Sequence, residues 1–188
     1  YATHKNTLPA FYVYLFDYNT GALLSIMNGS ALGQIRTGAA SGIATKYLSR
    51  QDATKLSIIG TGYQAKTQAE SIDLIRSIKL IKVYSRSDEN RKIFAQWVTK
   101  KLKIECIPVN SSAECIEDTD IITTITTSRK PVIEGRFIQP GTHLNAAGGN
   151  HYTRRELDDD AVLNCDLIVT DDIHQARVEC GDLIGVID

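Results

Sequence analysis

One stretch of the chain has residue types and spacing suited to phosphate chemistry: Gly60-Thr61-Gly62-Tyr63-Gln64-Ala65. It separates the apolar run Leu56-Ser57-Ile58-Ile59 from a helical pattern over 64–78, where Ala65, Ala69, Ile72 and Ile75 recur three or four residues apart. A strand that turns on glycines into a helix aims unpaired backbone N–H groups and the positive helix end at one point, where a pyrophosphate can sit. Gly60 permits the tight turn and Gly62 lets phosphates approach the backbone. Ala65 is small enough for helix and strand to pack closely, and Tyr63 and Gln64 complete the bend. A lone G-x-G is weak, but inside a strand–turn–helix–strand unit it points to a dinucleotide. A second cluster, Ser85-Arg86-Ser87, ends the next apolar run, Leu80-Ile81-Lys82-Val83-Tyr84. A site for NAD(H) usually carries a carboxylate there, which would repel a 2′-phosphate. Two hydroxyls and a guanidinium suit a phosphate dianion, so NADP(H) is favoured over NAD(H). Ser87 before Asp88 and Glu89 also reads as a helix cap with Arg86 solvated, and both readings can hold together.

Further candidates are spread along the chain. Arg36, beside Thr37 in a segment rich in small residues, can fork a substrate carboxylate with two parallel hydrogen bonds, or pair with an acid across a domain junction. Thr153-Arg154-Arg155-Glu156 has the spacing of a capping box, with two arginines opposing the helix dipole. A nearby anion would offset that opposition, which makes Arg154 a phosphate contact or a solvated surface charge. Gly148-Gly149 either lets the backbone run close to a flat ring or simply ends a strand. Cys106, Cys115, Cys165 and Cys180 form no C-x-x-C pair and are expected to be buried free thiols. His4, His143, His151 and His174 lack metal-ligand spacing, so no metal is expected.

Elements that must position these residues follow from the pattern. Residues 11–28 read as an antiparallel hairpin with turn chemistry from Asp17 to Gly21, and a hairpin alone is marginal in water. Ser30 to Leu48 reads as a helix whose Gly38, Ala39, Ala40, Gly42 and Ala44 allow close approach to another backbone. Strands are expected at 56–59, 80–84, 104–109, 120–126, 143–147 and 166–170, and helices at 64–78, 88–101, 111–116 and 153–162. This alternation implies an α/β fold, a doubly wound parallel (Rossmann) sheet, and the hairpin, which needs a neighbouring sheet, reads as part of a second, β-rich domain at the N-terminus. Strand C-terminal ends then share one rim, which brings Thr126, Thr127 and the run Ala147-Gly148-Gly149-Asn150 beside the glycine bend. The expected division is 1–36 for the partial β-rich domain (the dimerisation and substrate domain on the family resemblance given below), 37–177 for the nucleotide domain, and 178–188 for the return.

Composition narrows the function classes. With 188 residues the chain can bury a real core, and a net charge of −1 gives no basic excess to attract nucleic acid or an anionic membrane. No apolar run approaches the roughly 20 residues of a membrane span. A cytoplasmic protein is expected. Tyr1 is not an initiator and the only methionine is Met27, so the natural N-terminus is expected upstream.

Three segments in this order and spacing resemble the ornithine cyclodeaminase/mu-crystallin family: Gly33-Gln34-Ile35-Arg36-Thr37-Gly38-Ala39-Ala40-Ser41, Ile59 to Ala65, and Pro140-Gly141-Thr142-His143-Leu144-Asn145-Ala146-Ala147-Gly148-Gly149. Arg155-Glu156-Leu157-Asp158 and Glu179-Cys180-Gly181-Asp182-Leu183 fit it too. The resemblance covers nearly the whole chain. It implies a homodimer built through a shared barrel, with 11–28 supplying two of its strands. It implies that Arg36 holds the carboxylate of a small amino or imino acid and that Thr37 lies near the cofactor. Gln64 and Ala65 would line the pyrophosphate and Ala147 to Asn150 the nicotinamide pocket. Arg154 falls where cyclodeaminases carry a cofactor-contacting lysine. Two departures matter. The family's catalytic lysine and a second substrate arginine belong upstream of Tyr1, so this chain alone is not expected to complete a turnover. Asn150 stands where cyclodeaminases have a catalytic aspartate, and an amide cannot act as general base near neutral pH. The expectation is therefore an NAD(P)-dependent oxidoreductase at the C–N bond of an α-imino or α-amino acid, like ketimine or pyrroline-carboxylate reductases or alanine dehydrogenase, with Asn150 orienting the nitrogen. The alternatives are an ornithine cyclodeaminase, releasing proline and ammonia, and a non-catalytic crystallin-like protein that binds NADPH.

Overall fold

The computed structural model describes residues 11–187; residues 1–10, with His4 and the start of the expected first domain, and Asp188 lie outside it. Aromatic and β-branched residues in β1 (Tyr12–Phe16) pair antiparallel with β2 (Leu23–Asn28). Asp17 closes the turn by accepting from the Thr20 N–H at 2.7 Å and the Thr20 hydroxyl at 2.8 Å. The hairpin is a sheet of its own, and nearly all its side chains on both faces are exposed.

α1 (Ser30–Leu48) leads from the hairpin to the larger sheet. Its small residues do what their spacing implies. A Cβ on Gly38 would lie 2.6 Å from the Thr67 carbonyl oxygen, and one on Gly42 3.1 Å from Ser71 Cβ, so α1 sits tightly on α2 (Ala65–Ile75). Arg76 completes the junction. Its guanidinium donates to the carbonyls of Thr45, Lys46 and Ser49 at 3.0–3.1 Å, where the C-terminal end of α1 concentrates negative partial charge.

The larger sheet contains β3 (Lys55–Ile59), β4 (Leu80–Tyr84), β5 (Glu105–Pro108), β6 (Ile121–Thr124) and β7 (His143–Ala146). Every pairing is parallel, in the order β5-β4-β3-β6-β7. Successive strand residues serve opposite layers. Leu56 and Ile58 pack with Ile72, Ile81, Val83, Phe94 and Val98, under α2 and α3 (Asp88–Leu102). Ile59 packs with Cys115, Ile116, Ile122, Ile133 and Leu157, near the short α4 (Ser112–Ile116). The doubly wound reading is correct, and the order reverses beside β3, where open α/β sheets bind ligands.

Four expectations fail. No strand forms over 166–170: Leu167 and Val169 are 66% and 60% exposed. An apolar triplet supplies strand propensity, but the hydrogen-bonded partner edge makes the strand, and no described residue pairs there. The helix expected over 153–162 is only α5 (Asp159–Leu163), capped by Asp158, whose carboxylate accepts from the Ala161 N–H at 2.9 Å. Thr153 and Glu156 do not form a capping box, because the Glu156 side chain turns into the interior. The four cysteines are free, but Cys165 is exposed and only Cys115 is fully buried. α6 (Ile173–Glu179), capped by Asp172, was not anticipated. No helix among the described residues is long and apolar enough to cross a membrane.

Candidate functional site

The bend after β3 is shaped by its glycines and by the start of α2. Gly60 has φ of +115°, and a Cβ there would run into the Ile125 carbonyl oxygen, so only glycine fits. Nothing lies within 4 Å of a Cβ on Gly62, which faces open space. Ala65 is fully buried where α2 starts. That helix has no side-chain cap and no acidic residue in its first turn; the Ala65 N–H donates to the Gly62 carbonyl at 3.1 Å, and the positive helix end is left without a side-chain anion. Among the described residues the buried Gln64 Oε1 has no hydrogen-bond partner. α1 braces the bend: Gln34 Nε2 donates to the Tyr63 carbonyl at 2.5 Å, and Thr67 Oγ1 donates to the Gln34 carbonyl at 3.1 Å.

Beyond β4, the Thr61 hydroxyl donates to Ser85 Oγ at 3.1 Å, which joins the bend to the second cluster. Ser85 Oγ donates to the Ser87 carbonyl at 3.2 Å. Ser87 Oγ caps α3 by accepting from the Asn90 N–H at 3.2 Å, as the cap reading required. Arg86 is exposed and makes no ion pair among the described residues. Arg91 is a residue the sequence reading missed. It is buried, donates to the Ser85 carbonyl and to Asp88 Oδ1 at 3.0 Å each, and lies over the Tyr84 ring at 5.6 Å. It holds the turn that presents Arg86. Its spacing of three from Asp88 signals a helical ion pair, but nothing local signals burial.

The third segment joins the ends of β6 and β7. Glu156 is fully buried. Its carboxylate accepts from the Thr126 N–H at 2.5 Å, the Thr124 hydroxyl at 2.8 Å and the Gly148 N–H at 2.8 Å. Burial raises its pKa above the ordinary 4.5, against the opposing pull of those donors. Asp182, 1% exposed, accepts from the N–H groups of Glu156 and Leu157 at 2.6 and 2.8 Å. The two glycines are explained from within the protein: a Cβ on Gly148 would lie 2.6 Å from the Glu156 carboxylate, and one on Gly149 would collide with Asp182 Oδ2. Ala147 is half-buried, and its N–H continues the β6–β7 ladder to the Thr124 carbonyl at 2.9 Å. Thr126 is half-buried and Thr127 exposed. Asn150 is exposed, and its Oδ1 accepts from the Arg154 guanidinium at 3.0 Å, which leaves the amide N–H groups as donors. Arg154 is in no helix, so the dipole argument for it lapses.

The structure thus brings together the Gly60–Ala65 bend, Ser85 to Ser87, Thr126 and Ala147 to Asn150 along the C-terminal ends of β3, β4, β6 and β7. Arg36 and Thr37 occupy the turn of α1 that packs on the start of α2. The Thr37 hydroxyl is spent on the Gly33 carbonyl at 2.9 Å, while Arg36 is exposed without an ion pair among the described residues. No hydrogen bond among the described residues links Arg36 to Asn150 or Arg154.

The profile of the ornithine cyclodeaminase/mu-crystallin family matches residues 3–184. A Delta(1)-pyrroline-2-carboxylate reductase of Bacillus cereus is 39% identical over 171 residues, covering 91% of this chain and 52% of that protein. The ketimine reductase mu-crystallin of Macropus fuliginosus is 37% identical over 172 residues, 92% of this chain and 53% of that one. Among solved structures, Thermococcus litoralis Delta(1)-pyrroline-2-carboxylate reductase with NADH and L-proline superposes with a TM-score of 0.88 at 43% identity, covering 93% of this chain and 55% of the other. An archaeal alanine dehydrogenase dimer with bound NAD gives 0.84 at 32% identity, covering 92% and 53%. The chain spans about half the length of the curated relatives it matches.

Proposed function

This chain belongs to the ornithine cyclodeaminase/mu-crystallin family, and from that premise we propose that it carries the nucleotide site of an NAD(P)-dependent reductase for the C=N bond of a small α-imino acid. The residues present fit a dinucleotide: a glycine bend closed to any Cβ, open space over Gly62, and an uncapped helix start. When bound, the nicotinamide supplies a hydride for the imine carbon. The chain's own residues do the positioning. Backbone N–H groups at the start of α2 hold the diphosphate, with Gly60, Gly62, Tyr63, Gln64 and Ala65 shaping the bend. Ser85, Arg86 and Ser87 receive a 2′-phosphate, a preference that rests on their chemistry alone, since the solved relatives named above carry NADH and NAD. Thr37, Thr126, Thr127, Ala147, Gly148, Gly149 and Arg154 surround the nicotinamide half, and Arg36 clamps the substrate carboxylate. Asn150, its oxygen held by Arg154, turns its amide donors to the substrate nitrogen. The exposed hairpin serves homodimer formation, and four free cysteines fit a cytoplasmic setting.

The amide at position 150 carries the choice of reductase over lyase, because cyclodeamination needs a carboxylate base where this chain has none. The test uses the intact protein with a cyclic ketimine acid and with ornithine. Consumption of NADPH with the ketimine is expected; ammonia release from ornithine without net coenzyme change would establish the lyase, and neither signal a binding protein. Arg36→Ala should raise the Michaelis constant by about 2 kcal/mol, and an unchanged constant removes the clamp.

A further inference from the structure

The buried carboxylate of Glu156 spans two segments that the sheet alone does not tie together beyond the strand ends. One oxygen takes the Thr126 N–H at 2.5 Å, just past β6; the other takes the Thr124 hydroxyl and the Gly148 N–H at 2.8 Å each, the latter just past β7. Its own backbone joins two more: the Glu156 carbonyl accepts from the Val132 N–H at 2.8 Å, and its N–H donates to Asp182 at 2.6 Å. Glycine at 148 is required by this arrangement, because a Cβ would press within 2.5 Å of the Thr126 carbonyl and 2.6 Å of the Glu156 carboxylate. The two oxygens of one side chain thus take three donors from two segments, which an ionised carboxylate can do because it is acceptor only.

We propose that Glu156 is a positioning residue, which sets the spacing between the Thr126 and Gly148 turns and thereby the shape of the nicotinamide half of the coenzyme site. The adenylate and diphosphate half, Gly60 to Ala65 and Ser85 to Ser87, makes no hydrogen bond to Glu156 and meets the Thr126 turn only where Gly60 packs against Ile125 and Thr126. Glu156 touches no reacting group and acts through two backbone N–H groups. Glutamine in its place must turn an NH2 group toward the Thr126 or Gly148 N–H, so that one donor faces another and the two turns separate. This inference rests on the dinucleotide reading above.

The experiment titrates the intact protein and its Glu156→Gln variant calorimetrically with NADPH and with 2′-phospho-ADP-ribose, which lacks the nicotinamide. In the variant, NADPH affinity should fall about tenfold or more, the scale for losing a hydrogen bond to a charged group. Affinity for 2′-phospho-ADP-ribose should fall clearly less, because only the packing of Gly60 on Ile125 and Thr126 links its site to Glu156. Hydrogen exchange should quicken at Thr126 and Gly148 and stay slow in β3. An equal loss for both ligands, or none for either, overturns the positioning role. Should Glu156→Gln not fold, Thr124→Val removes one donor without leaving an unpaired one, and the same split is expected at about threefold; a uniform loss or no loss overturns the proposal there too. Failure of the unaltered protein to bind either ligand would instead sink the dinucleotide site itself.

Discussion

The two halves of the site are built by opposite means. The bend after β3 is backbone: Gly60 admits a close approach of Ile125, Gly62 faces open space, a helix start has no side-chain cap, and the buried Oε1 of half-buried Gln64 has no partner among the described residues. The rim beyond β6 and β7 is side chain: two buried carboxylates, Glu156 and Asp182, occupy the space under Gly148 and Gly149 and take up backbone N–H groups. In the first half Gly62 is open and Gly60 is closed off by the Ile125 carbonyl; in the second both glycines are closed off, by Glu156 and Asp182. The same residue type therefore has opposite meanings at Gly62 and at Gly148, and only its neighbours tell which.

The sharpest way to break that contrast is to add a methyl group within the bend. Gly60→Ala places a Cβ against the Ile125 carbonyl at a backbone angle that disfavours one, and should cost about 3 kcal/mol of stability. Gly62→Ala adds the same methyl to open space and should cost at most about 1 kcal/mol, while still weakening diphosphate binding. Urea unfolding beside coenzyme titration separates the two. Equal destabilisation would erase the distinction between a glycine the fold needs and one the ligand needs.

Legibility divided along the same line. The bend announces itself locally, since strand, glycines and helix are consecutive and their periods change within ten residues. α1 was readable for a similar reason: its small residues at 38 and 42 fall one turn apart and could only mean a close neighbour. Glu156 was misread because T-x-x-E is a local rule, whereas its true partners, Thr124, Thr126 and Gly148, come from other strands. Arg91 was overlooked because helix spacing marks a surface ion pair, and burial follows from Tyr84 and Ser85 arriving beneath it. The apolar run at 167–169 misled in the other direction, offering strand propensity with no edge to join. The motif around Asp182 emerged only through family resemblance; nothing in its spacing indicates a carboxylate that binds two N–H groups 25 and 26 residues away.

A smaller effect tests the adenylate half by charge. Arg86 is exposed on a turn that Arg91 holds from below. Arg86→Ala should therefore cost NADPH about 1–2 kcal/mol of binding, the scale of a charge-assisted hydrogen bond, and NADH much less. Equal losses for the two coenzymes would remove the 2′-phosphate reading and leave Ser87 as a helix cap.

The smallest expected effect is a difference in the sign of pH dependence. Burial holds the Glu156 carboxyl above its ordinary 4.5. The folded protein thus keeps this proton at pH values where the unfolded chain has released it, and stability through Glu156 falls as pH rises from 4.5, levelling off above the raised value. Asp88, on the turn beside Arg86, is the reverse. Hydrogen bonds from Lys92 and then Arg91 hold its carboxyl below 3.8, so its contribution is present above 3.8 and is lost as pH falls through the lowered value. Urea midpoints measured across this range should show the two limbs separately: Glu156→Gln should flatten the decline above 4.5 and spare the acid limb, and Asp88→Asn the converse. Asp73, whose carboxyl burial also raises above 3.8, leaves a residual decline, so only a Glu156→Gln profile as steep as the parent's above 4.5 would mean that Glu156 does not carry this limb.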